Sequence, residues 1–141
     1  YFALSWGEYT LLDAADLVVH EAGHLLFAPF GRFLHIAGGT LWQLALPAVI
    51  AGSFLSNGYR FGVQVGLLWL GQSCINVSVY AADARTRALP LLGGDPAGHD
   101  WWNLLRMTGL LEYDGIIGGA FYCFGLVVFG ALLVLPRFMP G

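Results

Sequence analysis

The chain has 141 residues, of which 57% are hydrophobic and only 11% charged, with a net charge of −3. Soluble domains run about 45–50% apolar and about 25% charged. This composition, with a mean hydropathy of +0.68, therefore excludes an ordinary soluble domain. Sparse charge and abundant aromatics exclude disorder, and six Arg without any Lys leave no basic patch for a nucleic acid. The expectation is an all-α integral membrane protein, with the lipid bilayer as its first partner.

The chain opens at Tyr1 without a Met, as a fragment or processed form does. Its first apolar stretch, broken by Asp13 and Asp16, lacks a signal-peptide pattern. Thr10-Leu11-Leu12-Asp13 reads as a capping box that starts a helix, and Pro29 with Gly31 reads as its end. That leaves about 18 residues, or about 27 Å, just long enough to cross a bilayer. Three further runs carry no Asp, Glu, Lys or Arg over the roughly 20 residues a membrane helix needs. They are Ile36 to Tyr59, Phe61 to Ala82 and Gly115 to Pro136.

Between the last two lies the longest polar segment, punctuated by Gly93-Gly94-Asp95-Pro96. Asp100 then reads as the N-cap of a short helix, Trp101 to Leu111, whose Trp101, Trp102, Leu104, Leu105 and Leu110 suit the membrane interface. The predicted architecture is thus a single membrane domain over 1–141. It comprises about four transmembrane helices and one interfacial helix: a three-span core at 10–85, an interfacial loop and helix at 84–114, and a fourth span at 115–136. Arg32, Arg85, Arg87 and Arg106 share one side, and Arg60 and Arg137 the other. That excess places the first side in the cytoplasm, in a membrane such as the bacterial inner membrane. Cys74 and Cys123 lie inside apolar runs and read as small buried hydrophobes.

The chemistry is concentrated in His20-Glu21-Ala22-Gly23-His24, an H-E-x-x-H pattern. Residues four apart on a helix share a face, so two imidazoles can hold one zinc ion at about 2.0–2.1 Å. Glu21 beside them can take a proton from a water acidified by the metal. The alternative is a hydrogen-bonded polar cluster without metal. Placed in a membrane, each ionisable group costs roughly 2.5–3.5 kcal/mol, so three within five residues demand a reason. Asp13, Asp16, His20 and His24 fall within an arc of roughly 80° at about 100° per residue. Gln72, Asn76, Tyr80 and Asp83 form a second polar stripe on the third span. Lipid rejects both stripes, so they should face each other, with His24 and Asp83 toward the same side.

At these residues the chain resembles the site-2 protease type of intramembrane zinc metalloproteases. The likeness rests on His20-Glu21-Ala22-Gly23-His24, then Gly31 and Gly38-Gly39, one intervening span, and a span bearing Asn76 and Asp83. The family's third core helix carries N-x-x-P-x-x-x-x-D-G. The resemblance implies that Asp83 completes the metal site and that Asn76 holds the substrate backbone or the oxyanion. Here Asn76 and Asp83 are seven residues apart rather than eight, Val79 stands at the proline position, and Ala84 follows Asp83. His99 and Asp100 are the rival third ligands, on the same membrane side. His35 reads as an interfacial loop residue without a role, and Asp13 and Asp16 either line a water path or sit at a cap and the headgroup level.

The expected function is an integral-membrane zinc metalloprotease that cuts a peptide in or beside the bilayer. His20 and His24 with Asp83, His99 or Asp100 are the metal ligands, and Glu21 is the general base. The alternative is a non-catalytic structural or accessory subunit of a larger membrane complex, partnered by other helices. Glycines of the fourth span such as Gly118, Gly119, Gly125 and Gly130 suit such packing. A di-iron oxidase would need a second Glu-x-x-His pair on another helix, and none exists.

Overall fold

A computed structural model describes residues 11–91 and 96–139. The capping residue Thr10 and the Gly93-Gly94-Asp95 punctuation lie outside these described residues. Five α-helices follow in order: α1 (Leu11–Phe27), α2 (Arg32–Ser56), α3 (Arg60–Ala82), α4 (Asp100–Thr108) and α5 (Asp114–Val134). No strand occurs among the described residues. Among the described residues, three helical segments are long and apolar enough to cross a membrane: Arg32–Ser56, Arg60–Ala82 and Leu111–Phe138, the last counted with the 3₁₀ turns at either end of α5.

The charge-free runs predicted these helices to within a few residues. α2 starts four residues earlier than expected, directly after Gly31, whose φ of 91° turns the chain out of the preceding 3₁₀ turn. His35 therefore stands in the first turn of a helix and not in a loop, a correction with consequences for the site. At α4 the cap is His99 rather than Asp100: its backbone is extended (φ −67°, ψ 109°) and its Nδ1 accepts the Trp102 N–H. Asp100 is thereby freed to turn its carboxylate elsewhere. The helix also stops at Thr108, short of the expected Leu111, because Gly109 adopts φ 72° and its N–H and that of Leu110 close back on the last turn.

α2 packs against both α1 and α3, α1 also meets α3 directly, and α3 packs along α5. Small residues set these approaches, as is usual where apolar lipid offers no drive for helices to associate. A Cβ added at Gly66 would stand 2.8 Å from Ala51 on α2, and one at Gly118 2.7 Å from the Ser78 carbonyl on α3. α1 and α2 touch backbone to backbone at Gly23 and Gly38. Pro47, buried inside α2, removes the N–H that would bond the Gln43 carbonyl, opening the ladder at that residue. At one end, Arg60 donates to the Met139 carbonyl, joining the start of α3 to the segment after α5. At the other, Arg85 pairs with the buried carboxylate of Asp114 at 2.8 Å. There α4 docks its Trp101 and Leu105 against Val77, Ala81 and Ala84, with Trp101 edge-on to Phe121. This anchoring holds the first turn of α4 over the ends of α1 and α3.

Candidate metal centre

The polar stripes of α1 and α3 do face each other. Asp13 Oδ1 accepts from Gln72 Nε2 at 2.6 Å and from Asn76 Nδ2 at 3.0 Å, and Asp16 Oδ1 accepts from Trp69 Nε1 at 2.7 Å and Ser73 Oγ at 3.0 Å. Asp16 is only 1% exposed. Burying a carboxylate is costly unless it is hydrogen-bonded; these donors from α3 meet that need at Asp16 Oδ1, while its Oδ2 is buried without a hydrogen-bond partner.

Toward the end of α1, His20 and His24 stand one turn apart with ring centroids 4.8 Å from each other. Into the space beside them reaches Asp100 from α4. Its Oδ2 is 2.9 Å from His20 Nε2 and 3.2 Å from His24 Nε2. One ligand atom from each of the three residues lies within 4.8 Å of the others. Tyr80 on α3 fixes the carboxylate: its hydroxyl accepts the Asp100 backbone N–H at 2.9 Å and lies 3.3 Å from Oδ2. Burial raises the cost of charge on Asp100, yet its contacts with His20 and His24 hold its carboxyl down to about 2. It is an anionic oxygen at any physiological pH.

The far side of each imidazole is committed. His24 Nδ1 lies 2.8 Å from the His35 carbonyl, which can only accept, so Nδ1 carries the proton. His35 Nδ1 in turn donates to the His24 carbonyl at 2.9 Å, locking the α1–α2 joint. His20 Nδ1 lies 2.9 Å from Gln43 Oε1. Both rings thus present Nε2 to the Asp100 oxygen. Without a metal an N–H bridges each Nε2 to the acceptor-only Asp100 Oδ2; once those protons are displaced, three acceptor atoms converge on one point. Such a set fits a cation, and two imidazole nitrogens with one carboxylate oxygen suit zinc. Gly39 makes the room, since a Cβ there would run into the His20 ring.

The other residues singled out from sequence lie elsewhere or serve differently. The Asp83 carboxylate is not beside His20 and His24. It caps the end of α3 locally, accepting from Thr86 Oγ1 and from the N–H groups of Ala88 and Leu89, both at 3.0 Å. Burial opposes its ionisation, but those donors hold its carboxyl below the usual range. His99 is fully buried at the head of α4, its Nε2 3.4 Å from Asp83 Oδ2 and its ring against Tyr80. Asn76 has both ends of its amide engaged, Oδ1 accepting from Gln43 Nε2 at 3.0 Å and Nδ2 donating to Asp13. Glu21 is exposed on the shoulder of α1. Sequence reasoning missed Gln43, and the signal was there: a lone amide deep in an apolar span needs a partner.

No protein-family model, curated protein or solved structure matches the chain.

Proposed function

We propose that the chain is an integral-membrane zinc metalloprotease that cleaves a peptide bond in or next to the bilayer. The observation that carries this reading is the convergence of His20 Nε2, His24 Nε2 and Asp100 Oδ2. Three protein ligands leave one position open, the arrangement of catalytic rather than structural zinc. Zinc held by these three residues would supply Lewis acidity and the means to acidify a water. Glu21, exposed next to His20, takes the proton as general base and returns it to the leaving amine. Tyr80 and α4 hold Asp100 in place, and the Gly39 gap lets His20 lie flat against α2.

In this reading α1 is the first of four spans, and the metal site faces the cytoplasm of a bacterial inner membrane. Its support is that the site sits at the end of the bundle bearing Arg32, Arg85, Arg87 and Arg106. The peptide must present an unwound backbone, since helical carbonyls in lipid are already bonded. The test is metal content of detergent-purified protein beside a His20→Ala/His24→Ala control. About one zinc per chain, absent from the control, is expected. Metal-free native protein would overturn the reading in favour of a non-catalytic subunit of a larger membrane complex.

A further inference from the structure

A chain of side-chain amides runs from Asp13 to His20, and its direction can be worked out from one end. Asp13 Oδ1 accepts from Asn76, so the Asn76 nitrogen must face it. That leaves Asn76 Oδ1 toward Gln43, which must answer with its own nitrogen, at 3.0 Å. Gln43 Oε1 is then the atom left facing His20 Nδ1, at 2.9 Å, and an amide oxygen there requires Nδ1 to carry a proton. The proton of His20 is placed by a carboxylate three residues removed along a hydrogen-bonded path. Three helices contribute, α1 at both ends, α3 through Asn76 and α2 through Gln43. The Gln43 step of the path is buried, at 2% exposure, and the Asn76 step is half-buried.

We propose that Asp13, Asn76 and Gln43 are positioning residues that set the tautomer of His20, keeping Nε2 available as a ligand. Either amide could be turned around without changing its shape, and the acceptor-only carboxylate of Asp13, with that of Asp16 also beside Gln43, sets the direction. A reversed relay would put Gln43 Nε2 against His20 Nδ1, drive the proton to Nε2 and block the ligand atom. Asn76 is therefore occupied in orienting a ligand. The consequence for metal rests on the zinc reading above, whereas the placement of the proton does not.

The experiment uses the full chain, with imidazole nitrogen-15 spectra of the metal-free protein and zinc affinity by chelator competition. In native protein His20 Nδ1 is protonated whether the ring is neutral or cationic. Asp13→Asn removes the acceptor at the end of the path, so an unprotonated Nδ1 signal from His20 appears beside the protonated one. Zinc affinity falls about tenfold, the low end of the roughly 10–100-fold typical for partners behind a ligand. Adding Gln43→Glu to Asp13→Asn restores an acceptor-only neighbour with the same net charge, and both effects reverse. A loss of packing at Asp13 would not be rescued from a residue on another helix. An unprotonated Nδ1 in native protein, or an Asp13→Asn effect that Gln43→Glu leaves in place, overturns the proposal. Should Asp13→Asn fail to fold, native protein and Gln43→Glu alone decide, both being expected to show protonated Nδ1. The expected nitrogen pattern without zinc binding by native protein would support the relay and overturn the metal reading alone.

Discussion

Asp100 and His20, eighty positions apart in sequence, meet at 2.9 Å, carboxylate oxygen to imidazole nitrogen. The contact depends on His99 taking the capping duty at α4 and on Trp101 and Leu105 seating that helix against α3. It makes Asp100 the third member of the group that His20 and His24 begin.

The first prediction separates the candidate ligands. Asp100→Ala is expected to lower zinc affinity by more than the about 10–100-fold that losing a supporting partner costs. Asp83→Ala, which removes a local cap, leaves zinc content unchanged. Metal analysis of both purified variants checks this, and the opposite pattern would return the ligand role to Asp83.

Gly39→Ala is expected to push the His20 ring away from Asp100, because the new methyl would occupy the same space. Overpacking of this kind costs about 1–3 kcal/mol, and zinc affinity should drop with it. Gly52→Ala in the same helix meets nothing within 4 Å. It should leave zinc binding alone and, by helix propensity, stabilise by up to about 1 kcal/mol. Thermal unfolding and chelator competition on the two variants read both effects.

Glu21→Gln keeps the shape of the side chain and removes its basicity. Peptide cleavage should fall by about 10²–10⁴-fold with zinc content unchanged. A variant that cleaves at the native rate would refute Glu21 as the base.

The pH dependence follows from His99. Burial keeps its imidazole below the ordinary value, outweighing the opposing pull of Asp83 and Asp100, with Arg87 adding to the effect of burial. Folded protein then binds fewer protons at this ring than unfolded protein does. The contribution to stability is whole above the ordinary imidazole value of about 6.5 and is lost as the pH falls from there through the lower folded value. Protonation would also remove the Nδ1 lone pair that accepts the Trp102 N–H. His99→Asn retains a capping acceptor without a titrating ring. Its unfolding midpoint should therefore decline less than native between about pH 7 and about pH 5. Parallel declines would show that another group is responsible.

The membrane-helix character, the helix boundaries to within about four residues and the H-E-x-x-H pair were legible in the sequence. Each depends on neighbours within one helix: absence of charge over a span, or two histidines one turn apart. The facing of the α1 and α3 stripes was legible too, because lipid leaves buried polar residues few places to go: Asp13 met Gln72 and Asn76, while Asp16 took Trp69 and Ser73, outside the expected stripe. Only tertiary structure brought Asp100 to the histidines and set Asp83 apart. The two acids are separated by a polar segment whose path no periodicity encodes, and a single exchange of capping residue, His99 for Asp100, redirected the carboxylate. Gln43 belongs with these. Its role arises where α2 packs against both α1 and α3, through glycine contacts whose partners lie on other helices, and a hydrogen bond across helices leaves no spacing in the chain to read.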